Sequence, residues 1–173
     1  MSENVEHILD IVVRAAQYVA DNAAPGWKES NYESALVSEL VTTVGAGLSV
    51  QQQVTLRSYF RTSSNVEVET GALRPDLRVE CRCMECDEIG EADLWQRHVY
   101  VELKLEPRGT LQQAHLDQAR GYAIAASRWA RQPIVCLALA FSGHNTIAYE
   151  AFAGTAGAGV PHLVPKPKDL FDD

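Results

Sequence analysis

Apolar residues recur at helical spacing in two segments near the start of the chain. Within residues 5–20 they fall at every third or fourth position, which predicts an amphipathic helix. Residues 21–26, which include Pro25 and Gly26, interrupt this pattern. A second helix is predicted over about residues 28–43, and Gly45 follows it, as glycine often does at the carboxyl end of a helix.

Strand patterns begin after the second helix. Segments rich in Val, Thr, Tyr and Phe alternate in part with polar residues, and a polar turn is predicted at 61–71. The predicted strands cover residues 48–60, 73–79, 98–105, 134–141 and 146–152, with a helix over about 111–131. The segment 134–141 is a continuous apolar run, which is typical of a strand covered on both faces.

The order of these elements predicts an α/β fold with a mixed central β-sheet flanked by helices. The chain has 173 residues, enough for one domain with a sizeable core. We expect that domain to span residues 1–153, with a polar, cysteine-bearing insertion at about 80–97. The last segment, 154–173, is rich in Gly and Ala and then in Pro, Lys and Asp, and is predicted to be loose.

Composition and charge narrow the classes of function. Apolar residues make up 46% and charged residues 22% of the chain, a globular composition. The net charge of −8 excludes a general basic coat for nucleic acid but leaves a local basic groove open. No apolar run approaches the roughly 20 residues that span a bilayer. The acidic first residues do not look like a signal peptide, so the expectation is a cytoplasmic protein.

Two carboxylates and a lysine fall on neighbouring predicted strands. Asp76 follows Pro75 on one strand, while Glu102 and Lys104 lie two residues apart on the next, on the face opposite its apolar residues. If the strands pair, Asp76 approaches Glu102, and paired carboxylates favour a cation such as Mg²⁺ or Mn²⁺. Lys104 could then hold a water aimed at a phosphate, as in metal-assisted phosphodiester hydrolysis. A salt-bridged surface strand is the alternative interpretation.

The helix that follows carries polar residues on one side. His115, Gln118 and Tyr122 are spaced by three and four residues, so they share a helix face. An amide and a phenol in that position could fix a water or a phosphate oxygen. A surface glutamine and a half-buried tyrosine are the alternative, because both are ordinary in helices.

Three short motifs occur in the order of the PD-(D/E)xK nuclease superfamily, which the chain resembles: Pro75-Asp76, Glu102-Leu103-Lys104 and Gln118-x-x-x-Tyr122. The last element is shared with the RecB-type branch of that superfamily. Upstream, residues 26–32 spell G-x-x-E-x-x-Y and are similar to the GxxExxY family within it. The resemblance covers roughly residues 25–142.

The resemblance implies a restriction-endonuclease-like core and a Mg²⁺-dependent deoxyribonuclease. Asp76 and Glu102 would be metal ligands, with the carbonyl of Leu103 as a third. Lys104 would act on the attacking water or on charge in the transition state. The glutamine and tyrosine of the helix motif would support the site.

An acidic residue from the first core helix usually completes sites of this superfamily. Glu29 is the glutamate of the G-x-x-E-x-x-Y motif, whereas Glu33 resembles the placement in Holliday-junction resolvases. Their four-residue spacing puts both on one helix face, so the sequence leaves the choice open.

The predicted insertion suggests a second metal. Cys81, Cys83 and Cys86, together with His98, could bind Zn²⁺. Their spacing fits no common zinc-finger pattern, and reduced thiols are the alternative. Cys136 lies in an apolar strand and is predicted to be buried packing.

The partner implied by the resemblance is DNA. No P-loop is present, so a nucleotide cofactor is not expected. Arg57, Arg61 and Arg108 flank the predicted site and could line a basic groove, or they could be scattered over the surface. A homodimer would supply the two sites that cutting both strands requires. The competing hypothesis is a non-catalytic nucleic-acid- or protein-binding module that keeps the nuclease fold.

Overall fold

A computed structural model describes residues 3–43, 48–52, 56–61, 67–81, 98–130, 133–154 and 164–165. Three α-helices lie within these residues: α1, Glu3–Asn22; α2, Glu29–Thr43; and α3, Gln113–Ala130. The predicted helices are confirmed, with ends that differ by one or two residues. No helix in this part of the chain combines the length and apolar character that a bilayer crossing needs.

The described strands form two sheets. In chain order they are β1, Leu48–Gln52; β2, Leu56–Arg61; β3, Glu67–Leu73; β4, Leu77–Cys81; β5, His98–Leu105; β6, Val135–Phe141; β7, Ile147–Ala153; and β8, Val164–Pro165. The larger sheet has the order β1-β4-β5-β6-β7, and the smaller one the order β3-β2-β8. Only the β5–β6 pairing is parallel, with α3 as its connection, so the five-stranded sheet is mixed.

The prediction was wrong between residues 48 and 79. The single strand expected over 48–60 is two strands, β1 and β2, in different sheets, and the expected turn at 61–71 contains the start of β3. Strand pairing overrides local propensity here, because β3 gains a ladder with β2 despite its Glu and Gly residues. The strand expected from residue 73 begins only at Leu77, after Pro75, which has no N–H for a ladder.

The later strands agree with the prediction, whereas part of the tail differs from it. β5, β6 and β7 lie where the alternation and the apolar runs placed them. Val164 and Pro165 pair with β2, so part of the tail that was predicted to be loose forms a short strand. The expected insertion lies mostly outside the described residues.

The five-stranded sheet has an apolar core on each face. On one face, Val101, Leu103 and Leu139 pack with residues of α1 and α2, including Ile8 and Leu36. The other face carries Tyr100, Cys136 and Ala138 against the alanines of α3. Cys136 is fully buried, as predicted. Because α3 covers the second face with small residues, it lies close to the sheet on the side where β5 carries its polar residues.

The close approach between α3 and the end of β7 gives a stability prediction. A Cβ at Gly154 would overlap the Ser127 side chain and the carbonyl of Ala123, so Gly154→Ala should lower the free energy of unfolding by about 2–3 kcal/mol. Gly121, on the same helix, has nothing within 4 Å of such a Cβ. Gly121→Ala should therefore raise the free energy of unfolding by about 0.5–1 kcal/mol. Urea denaturation of both variants measures this, and equal effects would contradict the packing described.

Candidate functional site

β5 extends beyond the start of its antiparallel neighbour β4. The ladder pairs Leu77 with Val101, so one further residue on each strand sets Asp76 beside Glu102. β4 begins at Leu77, whereas β5 continues to Leu105. Asp76 thus immediately precedes β4 rather than lying within a strand, and the predicted approach of the two carboxylates is confirmed.

Two carboxylates bind the edge of β5 past the start of β4. The N–H of Leu103 donates to Asp76 Oδ2 at 2.7 Å, and the N–H of Leu105 donates to Glu29 Oε2 at 3.2 Å. In a strand, the N–H and C=O of one residue point to the same edge. The carbonyl of Leu103 therefore points to the edge that carries both carboxylates.

Glu102 carries a carboxyl group in a buried position. The residue is 2% exposed, and its Oε1 lies 3.5 Å from Lys104 Nζ. Burial, and next the nearby Asp76 carboxylate, raise the pKa of Glu102 to about 7, although Lys104 and a hydrogen bond from the Asp76 backbone oppose the rise. Among the described residues, Glu102 Oε2 has no hydrogen-bond partner.

Lys104 is the cation within this group. Burial lowers its pKa, but the carboxylates of Glu102, Glu29 and Asp76 together raise it above the ordinary value. Lys104 is therefore a stable positive charge and a hydrogen-bond donor, not a base that removes a proton. Three carboxylates act on one ammonium group. Their combined negative charge can exceed the single positive charge of Lys104, so the site would attract a further cation.

The structure brings Glu29 to the site edge. Its carboxylate binds the backbone of β5 and acts on Lys104. Glu33 lies one turn further along α2 and is half-buried. The described contacts thus connect Glu29, the glutamate of the G-x-x-E-x-x-Y motif, to the other candidate residues.

The polar residues of α3 contact the backbone of the segments that carry the carboxylates. Tyr122 Oη donates to the carbonyl of Arg74 at 3.4 Å and accepts from Gln118 Nε2 at 3.0 Å. His115 Nε2 lies 2.7 Å from the carbonyl oxygen of Glu102. Gln118 therefore binds Tyr122, and Tyr122 binds the segment before Asp76, whereas the sequence suggested an amide and a phenol directed at water or phosphate.

The donor set suits a hard divalent cation. The described residues contain no group of three or more His, Cys, Asp or Glu side chains placed to hold a metal ion. Mg²⁺ in proteins is commonly bound through one or two carboxylates, with water and substrate phosphate completing its shell. Asp76, the unpartnered Oε2 of Glu102 and the Leu103 carbonyl fit that requirement, because all are oxygen donors at one sheet edge.

The predicted zinc site falls largely outside the described residues. Cys83 and Cys86 are not described, and Cys81 is described only as the backbone end of β4. His98 is buried, and its Nε2 lies 3.4 Å from Glu80 Oε2. Of the flanking arginines, Arg57 and Arg61 lie on β2, whose side chains are not described, and Arg108 is exposed.

The sequence reasoning missed the small residues beside the charged pair. In the parallel ladder, Ala138 lies opposite Glu102 and Ala140 opposite Lys104. Both alanines are buried, so the longer Glu102 and Lys104 side chains lie beside short neighbours on this face. The alternation of Ala with larger residues in VCLALAF was the available signal.

Comparisons with known proteins supply no family for the chain. No protein-family model matches it, and a search of curated proteins finds no match. The geometry of the carboxylate group is therefore what supports a function.

The raised pKa of Glu102 predicts how stability depends on pH. Native Glu102 keeps its proton up to about pH 7, whereas the ordinary value is 4.5. Between these values the native state binds more protons than the unfolded state, so stability falls as the pH rises. Glu102→Gln removes this contribution, which amounts to at most about 1.4 kcal/mol per pH unit.

Urea denaturation between pH 4.5 and 7.5 measures the difference between wild type and Glu102→Gln. We expect Glu102→Gln to gain stability relative to wild type across this interval. A constant difference at every pH would show that Glu102 does not titrate there.

Proposed function

We propose that the chain is a Mg²⁺- or Mn²⁺-dependent deoxyribonuclease with a PD-(D/E)xK site. The observation that carries the proposal is the juxtaposition of Asp76 and Glu102 across the start of β4, with Lys104 beside them. Oxygen donors beside a lysine suit metal-assisted hydrolysis of a phosphodiester, and a buried carboxyl group with a raised pKa is typical of functional sites.

The topology supports a restriction-endonuclease-like core as part of this proposal. α2 supplies Glu29, the residue before β4 and strand β5 supply the two carboxylates, and α3 connects β5 to the parallel strand β6. This is the arrangement of elements that the motif resemblance implies. The same layout with a different site would not favour a nuclease, since fold alone does not determine function.

The ligands would be Asp76, Glu102 and the Leu103 carbonyl. A bound divalent ion supplies a water of lowered pKa and neutralises charge on phosphate oxygens. Asp76 is held in place by the Leu103 N–H, and Glu102 by burial and by Lys104. Because both carboxylates are fixed before substrate arrives, they would bind without rearrangement.

Lys104 would act as a donor throughout the reaction. Its raised pKa keeps the ammonium protonated, so it can hold the attacking water or a phosphate oxygen and offset developing negative charge. The carboxylates of Glu102, Glu29 and Asp76 act on Lys104, yet 35% of its side-chain surface stays exposed, which leaves it accessible to a phosphate.

Cleavage of labelled DNA tests the proposal. Linear, nicked, branched and single-stranded DNA would each be incubated with wild type and Lys104→Ala, with Mg²⁺ or Mn²⁺. We expect wild type to cleave at least one substrate, and Lys104→Ala to be slower by at least about 10²-fold. Arg14→Ala is the control, because Arg14 is an exposed cation on α1, and it should cleave as wild type does.

Two results would contradict the proposal. Equal cleavage by wild type and Lys104→Ala would assign the activity to a contaminant. Metal binding and DNA binding by a folded protein that cleaves nothing would favour the non-catalytic binding module.

The matched glutamates of α2 provide a second prediction. Glu29→Gln should reduce the cleavage rate by about 10-fold or more, because it removes a carboxylate that acts on Lys104 and binds Leu105. Glu33→Gln is the matched comparison on the same helix face, and the loss in Glu29→Gln should be the larger of the two, because the Glu29 carboxylate acts on both Leu105 and Lys104. Rates measured on the preferred substrate decide between them, and a larger loss in Glu33→Gln would reverse the assignment.

A further inference from the structure

One peptide unit at the centre of the site is held at both ends. Its carbonyl, that of Glu102, lies 2.7 Å from His115 Nε2, and its N–H, that of Leu103, donates to Asp76 Oδ2 at 2.7 Å. The peptide is planar and trans, so these two groups point in opposite directions. α3 binds one side of the peptide, and a candidate metal ligand binds the other.

The acceptor fixes the protonation of His115. A carbonyl oxygen accepts only, so Nε2 must carry the proton and donate. His115 is 3% exposed, and its Nδ1 is buried without a hydrogen-bond partner among the described residues. A second proton there would be a buried and unpaired charge, and burial accordingly lowers the pKa of His115. The imidazole of His115 is thus neutral and donates a hydrogen bond through Nε2 alone.

The two hydrogen bonds reinforce one another. Donation to the Glu102 carbonyl polarises the peptide and makes the Leu103 N–H a stronger donor to Asp76. The same peptide immediately precedes the Leu103 carbonyl and follows the Cα that carries the Glu102 side chain. Its rotation would therefore move all three oxygen donors relative to one another.

We propose that His115 is a positioning residue that sets the mutual placement of Asp76, Glu102 and the Leu103 carbonyl through this peptide. The inference rests on the proposed function, because it assigns His115 a role in that metal site. His115 binds neither ion nor substrate directly, since its protonated nitrogen is directed at the backbone. Partners of this kind, which orient metal ligands, typically contribute about 10- to 100-fold to metal affinity or activity.

Two substitutions separate donation from packing. His115→Gln keeps an N–H at the reach of Nε2, whereas His115→Leu fills the space without a donor. Ser127→Ala is the matched control: Ser127 is another buried polar residue of α3, and it bonds the main chain of Ile134 near the opposite end of that helix. It should alter stability but not the site.

Three measurements report on the site: Mn²⁺ affinity by calorimetry, kcat and KM on the cleaved DNA, and the amide proton shift of Leu103 without metal. For His115→Leu we expect Mn²⁺ affinity and kcat to fall by about 10-fold or more, with KM changed by less than about 3-fold. The Leu103 amide proton should move upfield. His115→Gln and Ser127→Ala should keep values close to wild type in all three.

The outcomes distinguish the inference from the proposed function. Wild-type values for His115→Leu, or equal losses in His115→Leu and His115→Gln, would overturn the positioning role while leaving the nuclease intact. A wild-type protein that neither binds Mn²⁺ nor cleaves DNA would overturn the proposed function, and the positioning role with it.

Discussion

The unequal lengths of β4 and β5 are the constraint on which the site depends. β5 extends past Leu77, the first residue of β4, and its N–H groups beyond that point must find acceptors other than a strand. Asp76 and Glu29 supply them. Pro75 helps to end the ladder there, because it has no N–H to donate. The hydrogen bonds that these N–H groups need are therefore the same contacts that bring the acidic side chains together.

Gathering these carboxylates leaves an electrostatic imbalance within the fold. Glu102 is buried beside Asp76, and Lys104 is the cation that offsets them. A protein selected for stability alone would place an apolar residue at position 102, opposite Ala138. A buried carboxyl group with a raised pKa among apolar neighbours is typical of functional sites, where a residue that does not suit the core is kept for chemistry.

Much of this arrangement could be predicted from the sequence because it depends on local periodicity. The alternation in HVYVELKL places Glu102 and Lys104 on one face, and the structure confirms that face and the strand bounds. The division of residues 48–60 into two sheets could not be predicted, since it depends on which strands pair. Glu29 and Glu33 could not be separated either, because both lie on one helix face and the contact of Glu29 with Leu105 depends on tertiary packing.

Anomalous diffraction from crystals soaked in Mn²⁺ would test the existence of the metal site most directly. The carboxylate arrangement predicts a peak in contact with oxygens of both Asp76 and Glu102, and loss of that peak in Asp76→Ala crystals. A soaked wild-type crystal with no peak there, and with Glu102 still paired only with Lys104, would contradict it. The charged group would then be a structural ion-pair cluster.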